Sequence, residues 1–415
     1  MRLLLLPLLI VSSFVEPPRA RFYLPPVAGS KLTDDRAQAA QVFEAARQAA
    51  KRHEASAAYR LAYESLHYDA NFEPARKLLG YVKFRNEWRT PFEVHQLSAG
   101  KVWHARFGWL PADYVSRYEN GERYYRGRWM ASDVEAKLRA DISQGWRVES
   151  EHYSVLTNHS LEAGVELSQR LERLYAVWSQ IFAGYVIDNA ELERRFAGKA
   201  PRSRGIKQHN VVYYRMRDEY NSALRKQQPK IDITLGIYFD TERTAYFFAG
   251  DDQDAGTLWH EATHQLFSES RPTARDVGRK HDFWVIEAVA CYMESMRDHP
   301  DEDFVTVGEP DAGRLPAARQ RLLEDHFYVP LAELVTLGMS DLQADPRIGK
   351  IYSESAGLAT FFLQADGGKY CEPFVEYLRA VYEGRTGNNT LPDLMGRTFA
   401  ELDDEYKDWM QPAGD

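Results

Sequence analysis

The sequence predicts an α+β fold in which short strands precede a mainly helical second half. Three observations predict it. Small and aromatic residues repeat at three- and four-residue steps between residues 33 and 82, which is helix spacing. Tryptophans, tyrosines and glycines alternate from residue 84 to 150, which indicates short strands and hairpins. After further strand-like runs up to Phe248, the chain from Trp259 onward has a mainly helical pattern.

Composition describes an ordinary soluble globular protein. The chain has 415 residues, 44% of them hydrophobic and 27% charged, which suggests two or three domains. Its formal net charge is -9, so bulk electrostatics favour neither a nucleic-acid partner nor a strongly acidic substrate. We therefore expect no nucleic acid among its partners.

The first 20 residues are predicted to be a signal peptide. Arg2 precedes an apolar run over residues 3–11, which has the length of a signal-peptide core and is too short to span a bilayer. Cleavage after Ser13 or after Ala20 fits, and no later segment is a membrane-span candidate. We expect an exported protein, periplasmic, extracellular or on the cell surface. The alternative is a disordered apolar N-terminus in a cytosolic protein.

The sequence has two cysteines, Cys291 and Cys371, and their bonding state has two possible interpretations. They could pair in an oxidising compartment or remain as two buried thiols.

Residues 21–83 are predicted to form a linker and a helical hairpin. Residues 21–32 are rich in proline, and the helix-spaced residues that follow include Ala37, Phe43 and Ala50. Small residues at helix contacts resemble a tetratricopeptide-type hairpin, although one hairpin is not an array. Such a pair of helices could dock another protein or serve as a scaffold.

Residues 84–150 form a predicted β-rich segment. Trp88, Trp103, Trp109 and Trp129 alternate with turn-forming glycines. Aromatic residues among basic ones could bind nucleic acid or sugar, but a small core filled with aromatic side chains is the favoured interpretation.

Residues 151–415 are predicted to be the catalytic domain. Strand-like runs cover Tyr153–Thr157, residues 211–214, residues 231–239 and Thr244–Phe248, and a long amphipathic helix covers residues 161–182. Thr244–Phe248 lies shortly before the motif described next. We expect it to be an edge strand that can pair with an extended peptide.

The sequence His-Glu-Ala-Thr-His at residues 260–264 predicts a metal site. His260 and His264 lie one turn apart on a helix face, so both imidazoles can reach one ion. Glu261 is offset around the helix and can reach a water molecule bound to that ion. We expect it to act as the general base that takes a proton from this water. Zn²⁺ is the expected cofactor. The alternative is an ordinary helix with one packed and one exposed histidine.

A second helix offers the third ligand. Residues 282–296 are apolar almost throughout yet contain Glu287 and Glu294. A buried carboxylate is costly unless it is paired or binds a metal, which predicts Glu287 as a ligand. Glu294, seven residues later on the same face, is predicted to accept a hydrogen bond from a ligand histidine.

These two motifs resemble those of the gluzincins, the zinc peptidases with two histidine ligands and one glutamate. Their second motif is W-[LV]-x-E-[GA]-x-A-x-Y-x-E, matched here by Trp284, Val285, Glu287, Ala288, Ala290, Tyr292 and Glu294. Ala288 stands where glycine is commoner, and the spacing to Glu287 exceeds that of the aminopeptidase branch. From about His152 to its end, the chain is similar to a bacterial domain family of unknown function, predicted to be exported gluzincins.

The resemblance implies a zincin-like fold and one more catalytic residue. In aminopeptidase-type gluzincins, a tyrosine at the start of a Y-x-x-x-A helix stabilises the oxyanion, and Tyr352 matches that position. The function expected is zinc-dependent hydrolysis of peptide bonds in a peptide or protein substrate. The alternatives are a catalytically inactive zinc-binding module and a scaffold whose working part is the N-terminal hairpin.

Overall fold

The structure, a computed structural model, describes residues 21–26, 35–202, 208–250, 254–299 and 304–411. Within these ranges the chain is 55% helix and 15% strand with small sheets, which confirms the α+β class. The predicted signal peptide lies outside the described residues. Every helix in those ranges is too short or too polar to cross a membrane.

The described part of the chain begins with a strand and three helices. These are β1 (Arg21–Tyr23), α1 (Arg36–Lys51), α2 (Ala55–Tyr68) and α3 (Glu73–Leu78). The Asp35 carboxylate accepts a hydrogen bond of 2.9 Å from the Gln38 N–H and so caps α1. Alanine-rich faces of α1 and α2 pack together in a small core that also includes residues of α3 and of the later segment 183–192.

Three successive units of one hairpin and one helix follow. They are β2 (Val82–Phe84), β3 (Glu87–Arg89) and α4 (Pro91–Ser98); β4 (Lys101–His104), β5 (Gly108–Pro111) and α5 (Val115–Glu119); and β6 (Glu122–Tyr125), β7 (Arg128–Ala131) and α6 (Ser132–Leu138). The second strand of each hairpin has a tryptophan at the same register: the cross-strand pairs are Lys83 with Trp88, Trp103 with Trp109, and Tyr124 with Trp129. The sequence predicted hairpins here but missed the helices, which are too short to show a clear period.

The central sheet belongs to the middle of the chain. Its strands and the helices between them are β8 (Trp146–Glu149), β9 (Tyr153–Thr157), α7 (Leu161–Ile181), α8 (Ala183–Val186), α9 (Asn189–Phe196), β10 (His209–Tyr214), α10 (Arg217–Leu224), β11 (Ile237–Phe239) and β12 (Thr244–Phe248). The strand order is β11-β12-β10-β9-β8. The three inner strands are parallel, and the two outer strands are antiparallel to their neighbours. Short 3₁₀ helices cover Ala112–Tyr114, Ile142–Gln144 and Ile231–Ile233.

Two predictions about this sheet are wrong. Thr244–Phe248 is an inner strand, because it lies between β10 and β11, and β11 forms the edge of the sheet. Residues 231–239 do not form one strand, since Ile231–Ile233 is a 3₁₀ helix and only Ile237–Phe239 joins the sheet. In addition, β8 belongs to the sheet although it precedes residue 151.

The rest of the chain is mainly helical. It comprises α11 (Ala255–Glu269), α12 (Phe283–Met293), β13 (Arg297–His299), β14 (Phe304–Thr306), α13 (Leu315–Leu323), α14 (Leu331–Leu334), α15 (Met339–Ala344), α16 (Ile348–Gly368), α17 (Cys371–Glu383), α18 (Thr390–Met395) and α19 (Phe399–Met410). β1 pairs antiparallel with β14, so Arg21–Tyr23 is a strand and not part of a linker.

The N-terminal helices are built into the body of the protein. Eleven of the 14 residues of α2 are buried. Glu372 of α17 caps the N-terminus of α2. Its Oε1 accepts hydrogen bonds from the backbone N–H groups of Ser56 (2.8 Å) and Ala57 (3.4 Å), which have no partner within the helix. Of the two hairpin helices, α1 has the larger exposed share, because only six of its 16 residues are buried.

Cys291 and Cys371 are both in the described part of the chain. Both are buried, and they are not joined by a disulfide.

Candidate metal centre

The helix α11 presents the two histidines and Glu261. Asp254 caps it by accepting a hydrogen bond of 2.7 Å from the Thr257 N–H. Its buried stripe consists of Leu258, Ala262 and Leu266. Burial of this stripe fixes the rotation of the helix, which turns His260 and His264 toward α12.

The helix α12 brings Glu287 to the same point. All eleven residues of α12 are buried, so the Glu287 carboxylate is removed from bulk water. The residue before the helix, Asp282, has a left-handed backbone (φ 58°) and accepts a hydrogen bond from the Tyr377 hydroxyl at 2.5 Å. This contact ties the start of α12 to α17.

Three potential ligand atoms converge between the helices. Nε2 of His260 and Nε2 of His264 are 3.1 Å apart. Oε2 of Glu287 lies 3.4 Å from the first nitrogen and 3.8 Å from the second. Ligands about 2.0–2.2 Å from a tetrahedral zinc ion would be roughly 3.3 Å apart. The spacing and the donor types therefore fit a single zinc ion.

The hydrogen bonds of His260 support this orientation. Its Nδ1 lies 2.7 Å from Oε1 of Glu294, and a carboxylate can only accept there. In the neutral tautomer whose Nδ1–H donates to Glu294, Nε2 has the lone pair and points it at the convergence point. Glu294 therefore has the contact that the sequence predicted for it.

Electrostatics at the site favour a cation. Burial lowers the pKa of His264 to about 4, so this ring is neutral and able to act as a ligand. Burial also disfavours charge on His260, but hydrogen bonds with Cys291, Glu287 and Glu294 outweigh it and raise its pKa well above the ordinary value. The acidic groups around His260 thus stabilise positive charge.

Glu261 lies between the metal-site residues and the sheet. Its Oε2 accepts a hydrogen bond of 3.0 Å from the backbone N–H of Tyr238 on β11. Burial raises the pKa of Glu261 to about 7. A carboxyl group with that pKa can both take up and release a proton near neutral pH.

Tyr352 is also at the site. It lies on α16, close enough to the Glu287 carboxylate for that negative charge to act on its phenol. Burial, together with this carboxylate, keeps the phenol protonated by raising its pKa. The structure therefore brings together all six residues singled out from the sequence: His260, Glu261, His264, Glu287, Glu294 and Tyr352.

Three further residues contact this group. Arg314 donates two hydrogen bonds to Glu294, the backbone N–H of Tyr238 donates to Glu261, and the thiol of Cys291 lies close to His260. His260, Cys291 and Glu294 form a second set of potential ligands within 4.8 Å of one another. Only Cys291 had a sequence signal, because it lies on the same face of α12 as Glu287. The other two come from distant segments.

A large cavity lies elsewhere. It measures about 1510 Å³ between the N-terminal part and the central sheet. Among the described residues its walls include His152, Glu172, His209 and Glu269, but none of the six candidate site residues. Among the described residues, the groups whose ligand atoms could hold a metal ion all include His260, so the candidate metal centre is separate from this cavity.

No protein-family model matches this chain, and neither a curated protein nor a solved structure does. Its site must therefore be interpreted from its own residues.

Proposed function

We propose that this chain is a zinc-dependent hydrolase of peptide bonds, a gluzincin-type metallopeptidase with a zincin-like fold. The observation that supports it most is the convergence of Nε2 of His260, Nε2 of His264 and Oε2 of Glu287 within 3.8 Å of one another. Two imidazoles and one carboxylate are a donor set typical of catalytic zinc, which leaves a coordination position open.

The residues divide the chemistry among them. A zinc ion held by His260, His264 and Glu287 would supply Lewis acidity for activating water and polarising a carbonyl group. Glu261 accepts the proton of the attacking water and passes it to the leaving amine. The Tyr352 hydroxyl donates a hydrogen bond to the oxyanion that develops.

The edge strand supplies a docking place for substrate. β11 forms the edge of the sheet, and its Tyr238 contacts the proposed base directly. An extended peptide that pairs with such an edge lies beside Glu261. We therefore propose a peptide or protein substrate. Export remains part of the proposal through the apolar run at residues 3–11.

A catalytically inactive zinc-binding module is the alternative. Such a module needs three ligands but no buried carboxyl group beside them. The raised pKa of Glu261 and its place on the ligand helix favour the enzyme.

The test combines metal analysis with peptide hydrolysis. We expect one zinc per wild-type chain and cleavage of a mixed peptide library. Glu261→Gln should keep the zinc and lose cleavage by a factor of a hundred or more, on the order expected for a general base. Glu242→Gln, an exposed carboxylate on the turn after β11, is the matched control and should retain activity. A chain without zinc would refute the proposal, and full cleavage by Glu261→Gln would remove that residue from the mechanism.

A further inference from the structure

Arg314 forms a bidentate ion pair with Glu294. Its Nε donates to Oε2 at 2.6 Å, and its Nη2 donates to Oε1 at 2.9 Å. The same Oε1 also accepts the 2.7 Å hydrogen bond from Nδ1 of His260. A guanidinium, a carboxylate and an imidazole are thus connected in series, with the imidazole facing the metal centre.

The position of Arg314 suits a supporting role. It directly precedes α13, which packs against α16, the helix that carries Tyr352. The guanidinium carbon lies 5.9 Å from the centre of the Tyr352 ring. Arg314 therefore contacts groups on both sides of the site, while its side chain remains 36% exposed. A planar fork of donors fixes a carboxylate more firmly than a single ammonium group does.

Charge balance points the same way. Glu261, Glu287 and Glu294 contribute three negative charges when ionised. A zinc ion and the Arg314 guanidinium would supply the positive charge that offsets these carboxylates. Without Arg314, the carboxylate of Glu294 would be left largely buried, with a neutral imidazole as its partner, which is unfavourable.

We propose that Arg314 is a positioning residue of the metal centre. It holds Glu294 so that the Nδ1–H of His260 donates to that carboxylate and its Nε2 faces the ion. Arg314 contacts none of the reacting atoms. This inference rests on the proposed zinc site.

The experiment measures metal binding by the full chain. Arg314→Met removes the fork but keeps much of the aliphatic bulk, and Arg314→Lys keeps the charge. Zinc affinity is measured by competition with a chromophoric chelator, and the absorption spectrum of the cobalt(II)-substituted protein reports ligand geometry. The control is Arg297→Met, which breaks an exposed ion pair in which Nη1 of Arg297 donates to both carboxylate oxygens of Asp311.

We expect Arg314→Met to weaken zinc binding by about 10–100-fold and to alter the cobalt spectrum, the effect typical of a lost outer partner of a metal ligand. Arg314→Lys should recover part of the affinity, and Arg297→Met should stay within about twofold of wild type. In the Glu294→Gln background, Arg314→Met should have little further effect, because both changes break the same series of contacts.

The outcomes separate the two proposals. A wild-type chain that binds no zinc would overturn the proposed function itself. Zinc binding that Arg314→Met leaves within about twofold of wild type would overturn only the role of Arg314. If circular dichroism shows that Arg314→Met does not fold, Arg314→Lys provides the test. A wild-type zinc affinity and cobalt spectrum in Arg314→Lys would then overturn the role of Arg314.

Discussion

The backbone N–H of Tyr238 donates a hydrogen bond of 3.0 Å to Oε2 of Glu261. The proposed general base is thus held by the edge strand of the sheet as well as by its own helix. The phenol of Tyr238 makes a separate contact, donating to Oε1 of Glu269 at 3.2 Å. Main chain and side chain of one residue therefore hold two carboxylates of α11.

This relationship predicts that the Tyr238 N–H matters for catalysis more than its phenol. Tyr238→Pro removes the N–H, and an edge strand tolerates proline where the N–H points away from the sheet. A hydrogen bond to a charged group contributes about 1.5–3 kcal/mol, so we expect kcat to fall roughly tenfold to hundredfold. Tyr238→Ala and Tyr238→Phe keep the N–H and should lose much less. Equal kcat values for the proline and alanine variants would contradict the prediction.

Glu287 and Glu294 should differ sharply in their effect on zinc binding. Glu287→Gln removes a charged ligand atom, so we expect zinc affinity to drop by more than about a hundredfold. Glu294→Gln removes only the acceptor that orients His260 and should cost about 10–100-fold. Competition with a chelator measures both, with circular dichroism as a check on folding. If both variants lost the same affinity, Glu287 could not be the third ligand in the way the distances indicate.

The site could be predicted largely because helices have a fixed period. Spacing alone places His260 and His264 on one face of α11, and an apolar run with an unexplained carboxylate indicates Glu287. Arg314 and Tyr238 reach the site from separate segments through tertiary packing, which no local pattern encodes. The order of the strands was missed for the same reason. Alternation of residue types indicates that Thr244–Phe248 is a strand, but only tertiary packing decides that Ile237–Phe239 pairs with it and forms the edge of the sheet.

Tyr352 should act on turnover and not on metal binding. Removing its hydroxyl in Tyr352→Phe takes away one donor to the oxyanion, which typically costs on the order of a hundredfold or more in kcat. KM and zinc content should stay near wild type, because the hydroxyl is needed mainly in the transition state. Tyr292→Phe is the matched control, a buried tyrosine of α12 whose hydroxyl contacts Gln364. If Tyr352→Phe kept the full kcat, the Tyr352 hydroxyl would have no role in catalysis and the residue would contribute only to packing.

The last prediction concerns folding stability and a second buried carboxyl group, Glu354 on α16. Its two oxygens accept hydrogen bonds from the Val329 N–H at 3.0 and 3.1 Å. Burial raises its pKa to about 8; the Asp403 carboxylate adds to this rise, while the Val329 N–H and Arg347 oppose it. The ordinary value is 4.5. Between these two values, the unfolded chain releases the proton while the folded chain keeps it.

The unfolded state therefore binds fewer protons over this window, and the free energy of unfolding falls as pH rises from about 4.5 to about 8. Glu354→Gln cannot ionise and keeps one acceptor for Val329. Relative to wild type, it should gain stability between pH 5 and pH 9, by on the order of a few kcal/mol. Urea unfolding at pH 5, 7 and 9 measures the gain, with Glu44→Gln at an exposed position of α1 as control. Parallel stability curves for Glu354→Gln and wild type would show that Glu354 is ionised in the folded protein, and that the Val329 N–H and Arg347 together outweigh the effect of burial.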